Sequence, residues 1–299
     1  MIVSIALNAT LRVTYETGRI TCGGLNHVSR VNRRAGGEGL AVARVLASLG
    51  EDVLVGGFAG GASGSLIEAD LGRAGITSGF TTIGQESRRV VDVLDEAREQ
   101  VTTLAEPSPF ITTEELGLLA TNYRTLLQGC AAVVLSGGLP AGLPTDSYAS
   151  LARYAAEAGV PAVVHAGGLA LWQSLPRRPA LAVTQAASGP APGSRGAHAP
   201  GPGELLARGA QAAAVVTGDT VFLATPDGRW RASLEGYPGL VLSAEAVTAG
   251  LLPGAAQGWT WPDALRNAVA LGAAADPSGE VDLDAYELLS SEVALGPGE

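Results

Sequence analysis

Two short stretches hold the residues best suited to chemistry. The first is "AGGEGLAVAR" (35–44), where glycines stand between a strand-like segment and an Ala/Leu/Val helix pattern. Such a junction lets backbone N–H groups approach a ligand closely, and a helix N-terminus favours oxyanions. Gly-Gly turns before helices also arise for purely geometric reasons, so a bland reading stands beside the functional one. The stretch is not a Walker A loop, which needs Gly-Lys-Ser/Thr, and no acidic residue follows at the offset of a dinucleotide fingerprint. The second is "GLVLSAEAVTAGLLPG" (239–254), a strand-like apolar run that enters Leu242-Ser243-Ala244-Glu245 and continues as an Ala-rich helix. Glu245 reads either as a carboxylate that activates a hydroxyl or as an acid in the first turn of a helix capped by Ser243, where the helix dipole favours it.

Other candidates are weaker. "VVLSGGLPAGLP" (133–144) ends a buried strand in a Ser-Gly-Gly turn, and Gly137 there could face a ligand, since open α/β sheets bind beyond the carboxyl ends of their strands. In "VVTGDTVFLATPDGRW" (215–230), Asp219 beside Gly218 and Asp227 beside Gly228 suit turn chemistry better than catalysis. His27, His165 and His198 are scattered, and none pairs with a Cys or Ser in a recognisable triad.

The elements that must position these residues alternate. "MIVSIALN", "DVLVGGFAG", "AAVVLSGG", "PAVVHAGG" and "AAAVVTG" read as buried strands, and "LAVARVLASLG", "GSLIEADLGRAGI" and "DSYASLARYAAEAG" as helices closed by glycine. This order predicts a mostly parallel sheet flanked by helices. "RVTYETGRIT" and "RRVVDVLDEAREQVTTLAEP" alternate with period two and read as short β excursions forming a small second layer or lid. "ASGPAPGSRGAHAPGPG" (187–203) has too much Pro and Gly for a helix or central strand and reads as a flexible surface loop.

Composition bounds the function. The 299 residues are 46% hydrophobic and 16% charged, as in a globular chain with a sizeable core. The net charge of -10 argues against nucleic-acid binding. All 19 basic residues are arginine, so no mechanism that needs a lysine is open to this chain. Two cysteines, Cys22 and Cys130, without metal-ligand spacing suit a reducing cytoplasm. No apolar run is long enough to span a bilayer, and the opening "MIVSIALNA" predicts a strand, not a secretory signal.

In order and spacing the chain resembles the ribokinase/PfkB family of sugar kinases, in its 1-phosphofructokinase and tagatose-6-phosphate kinase branch. "IALNATLRVTYE" is similar to that branch's LNPALD-x-TY opening, "GGEGLAVARVLASLGEDV" to GGKGxNVAxxLxxLG, and "GFAGGASG" to GFLGGxxG. "ESRRVVDV" resembles ETRxNVKI, "TTLAEPSP" resembles TxLNEPGP, and "VLSGGLPAGLP" is nearly VxSGSLPPGxP. "VTAGLLPGAAQG" resembles the helix after the GAGD motif. The resemblance implies a three-layer ribokinase-like α/β fold, one kinase domain over 1–299 with lid strands from about 12–33 and 88–104, and a homodimer through the lid. It also implies transfer of a phosphoryl group from ATP with Mg²⁺ to a hexose phosphate hydroxyl. Substrate-binding positions carried over are Asn8, Arg12, Gly36, Gly37, Glu38, Gly39, Arg88 and Gly137. Positions carried over for the nucleotide are Gln185, Thr217, Gly218, Ser243 and Ala244, with Glu245 in the place of the catalytic Asp.

The departures from the pattern are concentrated in the chemistry. The Asp of LNPALD falls on Arg12, the Lys of GGKG on Glu38 and the following Asn on Ala41. The Asn and Lys of NVKI become Val90 and Asp92, the Asp of DxSG becomes His165, and KPNxxE leaves Gln185 and Ser188. GAGD reads Leu242-Ser243-Ala244-Glu245. A carboxylate about 4 Å from a phosphate costs about 1 kcal/mol in water and roughly 4 kcal/mol at an effective dielectric of 20. The lost glycines restrict the turn that would converge N–H groups on an anion. Together these changes predict a phosphosugar kinase homologue with weak or lost activity. The alternative is a pseudokinase that binds a ligand or partner; a third reading lets Arg12 and Glu38 reverse the charge logic for a different, cationic substrate.

Overall fold

The computed structural model describes residues 1–186 and 200–298. Apolar runs build the first strands: β1 (Ile2–Ala6) is wholly buried, and β2 (Thr10–Thr17) and β3 (Arg30–Gly36) follow. The Ala/Leu/Val stretch becomes α1 (Glu38–Ser48), then come β4 (Val53–Ala59), α2 (Gly61–Arg73) and β5 (Thr77–Thr82). The second β excursion forms β6 (Arg89–Asp95) and β7 (Gln100–Ala105). Next is α3 (Thr113–Leu126), which starts on a capping box between Thr112 and Glu115.

Alternation then continues through β8 (Ala132–Ser136), α4 (Ser147–Glu157), β9 (Ala162–His165), α5 (Gly168–Ser174) and β10 (Leu181–Gln185). After α6 (Pro202–Ala207) and β11 (Ala213–Thr217), the chain makes two hairpin strands, β12 (Thr220–Thr225) and β13 (Gly228–Leu234). It finishes with α7 (Ala244–Ala256), α8 (Trp261–Ala274), α9 (Leu283–Ser290) and β14 (Val293–Pro297).

The main sheet has ten strands in the order β14-β13-β12-β11-β10-β9-β8-β1-β4-β5. From β11 to β5 the pairs are parallel, and β12, β13 and β14 add an antiparallel margin. Strands buried on both faces read as nearly continuous apolar runs. In β8, Ala132 and Val134 join the core under α1, α7 and α8, while Val133 and Leu135 join the core under α3 and α4. These are the three layers expected from the alternation.

A separate four-stranded sheet runs β3-β2-β6-β7. The expected lid ranges, 12–33 and 88–104, therefore shift slightly, to strands over Thr10–Thr17, Arg30–Gly36, Arg89–Asp95 and Gln100–Ala105. Two other expectations change. The apolar run before Ser243 is not a strand: Leu242 is 1% exposed and lies against Gly272, where an added Cβ would come within 3.3 Å of it. Most of the Pro/Gly-rich stretch, including Ser188 and His198, lies outside the described residues, and Pro202 and Gly203 open α6 instead of belonging to a loop. Among the described residues no helix is long and apolar enough to cross a membrane.

Candidate active site

The parallel strands deliver their carboxyl ends to one edge, where Asn8 follows β1, Ser136 closes β8, His165 closes β9, and Gln185 and Thr217 close β10 and β11. The "GGEG" stretch sits on this edge as the start of α1. Gly37 is its N-cap with φ +114, a conformation L side chains rarely adopt, and a Cβ on Gly39 would meet Ala6 at 3.0 Å. The glycines thus press α1 onto the end of β1, and Ser4 Oγ donates to Gly39 O at 2.7 Å to hold it there.

Two adjoining cavities open at this junction. One, of about 280 Å³, is lined by Arg12, Arg34, Glu38, Arg88, Glu245 and Ser278 among others. The other, of about 230 Å³, is lined by Asn8, Gly39, Ser136 and Gly137. Both share Thr10, Gly37, Glu38 and Arg88, so they form one crevice between the sheet edge and the smaller sheet. The expected substrate residues Asn8, Arg12, Gly36, Gly37, Glu38, Gly39, Arg88 and Gly137 are all brought to its walls.

Their charges are not equally available. Arg12 Nε lies 3.0 Å from Asp92 Oδ2, and Thr103 Oγ1 donates to Asp92 Oδ1 at 2.6 Å. Arg12 and Asp92 are therefore partners across β2 and β6, so the Arg12 guanidinium enters the crevice wall already paired with a carboxylate. Arg34 is paired with Glu280. Arg88 is bound only loosely, its Nη1 3.4 Å from Ser108 Oγ, which accepts from Asn8 Nδ2 at 2.8 Å. Arg88 Nε and Asn8 Oδ1 are buried without a protein partner. Buried polar atoms normally find partners, so these two orphans mark where a polar ligand would complete the network.

Opposite them lie two carboxylates. Loss of water against the crevice walls pushes the Glu38 carboxyl up, His165 opposes that shift, and the charge of Glu245 adds to it. His165 is fixed by a 3.1 Å hydrogen bond between its Nδ1 and Ser136 Oγ. Tyr148 Oη donates to Gly137 O at 2.9 Å, and burial, with Glu38 nearby, raises that phenol strongly.

The nucleotide side is built differently. Leu242 N donates to Gly218 O at 2.8 Å and Ser243 N to Gly272 O at 2.9 Å. Ser243 Oγ accepts from Ala246 N at 3.2 Å, as the capping pattern predicts, and contacts Glu245 Oε2 at 3.1 Å. Over 242–246, that leaves the N–H groups of Ala244 and Glu245, next to the Glu245 carboxylate. Gln185, Thr217 and Gly218 lie along the same edge, but Gly218 O is occupied by Leu242 and Thr217 Oγ1 donates to Thr220 O at 3.2 Å. Among the described residues no group of three or more His, Cys, Asp or Glu could hold a metal ion. Among 242–246 only the Ala244 and Glu245 amides remain to meet a triphosphate, and they face it beside a carboxylate. The glycine-rich start of α2 is also closed, because Ala62 and Ser63 N–H groups donate to Glu86.

Sequence reasoning missed Ser136, Arg34 and Ser278 as crevice residues, and Ser108 as the partner of Asn8 and Arg88. Ser108 sits in "TTLAEPSP", whose match to TxLNEPGP was a usable signal; Arg34 and Ser278 meet across more than 240 positions and carried none.

The comparisons with known proteins agree with this geometry. The model of the pfkB family of carbohydrate kinases matches residues 1–177. A tagatose-6-phosphate kinase from Staphylococcus epidermidis is 34% identical over 175 residues, 58% of this chain and 56% of that protein, so the match spans about half the length of that relative. The tetrameric inhibited form of phosphofructokinase-2 from Escherichia coli superposes with a TM-score of 0.84 at 21% identity, covering 97% of this chain and 98% of that one. The same protein in complex with fructose-6-phosphate gives 0.82 at 19% identity with the same coverage. A carbohydrate kinase from Agrobacterium tumefaciens gives 0.74 at 19%, covering 98% of each. At these identities the structural matches speak for the fold.

Proposed function

Because the chain belongs to the pfkB family of carbohydrate kinases, we propose that it is a phosphosugar kinase homologue that still holds a sugar phosphate in its crevice but transfers phosphoryl groups weakly or not at all. The observation that carries this reading is the contrast in unmet hydrogen bonds. Asn8 Oδ1 and Arg88 Nε await a polar partner, whereas the amides of Leu242 and Ser243 are already spent inside the protein. A hexose phosphate of the kind the relatives' names mention would place its phosphate by Arg88 and its hydroxyls by Asn8 and Ser136. Transfer from Mg-ATP needs preorganised donors around the moving phosphoryl group. With two amides left and an added methylene on its carboxylate, the 242–246 turn is poorly arranged for that role.

The pseudokinase reading is favoured by the same spent amides and by Glu38 and Glu245 facing the crevice together. A cytoplasmic location fits the two free cysteines. A homodimer through the smaller sheet fits its exposed Val31, Val101 and Leu104. A coupled ADP-release assay against fructose 1-phosphate, fructose 6-phosphate and tagatose 6-phosphate decides, alongside calorimetry with each sugar phosphate and with Mg-ATP. The expected result is sugar phosphate binding with little turnover. Brisk turnover abolished by Glu245→Gln would sink the weak-transfer half, and absence of sugar phosphate binding would sink the other half.

A further inference from the structure

On the outer side of the β3–α1–α2 junction lies a shallow cavity of about 400 Å³ that the crevice chemistry does not use. Four arginines reach it from three elements: Arg33 and Arg34 from β3, Arg44 from α1 and Arg73 from α2. Two carboxylates, Asp70 and Glu280, answer them. Asp70 is shared, since its Oδ2 accepts from Arg44 and from Ala35 N, and its Oδ1 from Arg73 at 3.1 Å. Glu280 pairs with Arg34, and among the described residues Arg33 has no ion pair. Four positive groups thus line the cavity against two negative ones, with Asp276 also within reach of Arg34, so positive charge still gathers here in a chain whose net charge is -10.

The arrangement is costly without a further anion. Arg44 has a side chain only 9% exposed, its Nε is buried with no partner, and the carboxylate it leans on is divided with Arg73. A buried cation is tolerated when it is fully paired and hydrogen-bonded. Planar guanidinium forks match tetrahedral oxyanions bidentately, and a gathering of them suits a dianion. We propose that this cavity is a binding site for a phosphate dianion, free or carried on a small metabolite, separate from the crevice. Arg33, Arg44 and Arg73 supply the charge. Arg34, which lines both cavities, ties the site to the loop that carries Ser278 into the crevice.

The test uses inorganic phosphate on the full chain with Arg88→Ala, which removes the loosely held crevice cation and so separates this site from the proposed sugar phosphate site. Calorimetric titration at low ionic strength is expected to show one phosphate site. Adding Arg33→Ala and Arg73→Ala, both exposed positions, is expected to weaken it about tenfold or more, with an unchanged circular dichroism spectrum and no response to chloride at equal ionic strength. No binding in the Arg88→Ala protein, or equal binding with and without the two added substitutions, would overturn the proposal. Phosphate methyl esters of small alcohols binding as well as free phosphate would point to a metabolite-borne group.

Discussion

The two ends of the carboxyl edge solve opposite problems. At the β1–β8 end, Asn8, Arg88 and Ser108 are gathered but not satisfied, and two buried polar atoms have no protein partner. At the β11–α7 end, Gly218 O, Gly272 O and the Ser243 cap absorb the donors, and Leu242 turns into the core. An unsatisfied buried group costs free energy unless a ligand is part of the design, whereas a satisfied turn adds to stability alone. The difference teaches that the two ends of one edge are built differently, one with polar atoms left open and the other closed as a capped, buried turn.

If the α7 end is structure, breaking it must register in stability. Leu242→Ala removes a fully buried side chain from the cluster around α7 and α8. It is expected to cost about 2–5 kcal/mol in urea unfolding, with sugar phosphate binding retained. A loss below about 1 kcal/mol would mean that Leu242 is not a core residue and would erase the contrast.

The next largest effect sharpens the other end. Arg88→Ala removes the loosest cation in the crevice, and charge-assisted hydrogen bonds are worth about 1.5–3 kcal/mol. Affinity for a sugar phosphate, read by calorimetry, is therefore expected to fall about tenfold to a hundredfold. The melting temperature should hardly move, because Arg88 meets only a 3.4 Å contact with Ser108. Ser243→Ala follows, with an expected stability loss of about 1 kcal/mol from the Ala246 cap and no change in sugar phosphate affinity.

Much of this contrast was legible in the sequence, and the remainder has identifiable causes. Period-two alternation pointed to β2 and a polar turn between apolar runs to the β6–β7 pair, while β3 was not read as a strand, and Asp227-Gly228 located the β12–β13 hairpin. Ser243 and Glu245 announced a capped helix start, which the geometry bears out. By contrast, the run Leu240–Leu242 looks like a strand because apolar residues mark burial of any kind. What buries Leu242 is Gly272, thirty positions later in α8. Arg12 and Asp92 could be seen singly in the sequence, yet their pairing depends on the β2–β6 register, Arg12 opposite Val90 and Thr14 opposite Asp92. The Arg34–Glu280 pair spans 246 positions, and no local pattern encodes such a contact.

The smallest effect isolates the repulsion between the two ends. The folded protein holds the Glu38 carboxyl above its ordinary value of 4.5, chiefly because the crevice walls strip water from it; His165 opposes the shift, and the charge of Glu245 adds a smaller push upward. A raised carboxylate means that the folded state binds the proton more readily than the unfolded chain. Stability is then lost as pH rises from 4.5 through the folded value, and the loss persists above it. Glu38→Gln carries no charge at position 38, so its melting temperature should match wild type near pH 4 and exceed it at pH 8. Glu245→Gln should give a smaller gain with the same dependence, since it removes one contributor and leaves the loss of water. Differential scanning calorimetry across that range reads both. A Glu38→Gln protein that instead loses stability as pH rises would show that the attraction to His165 outweighs the loss of water. Glu38 would then belong with the satisfied end of the edge.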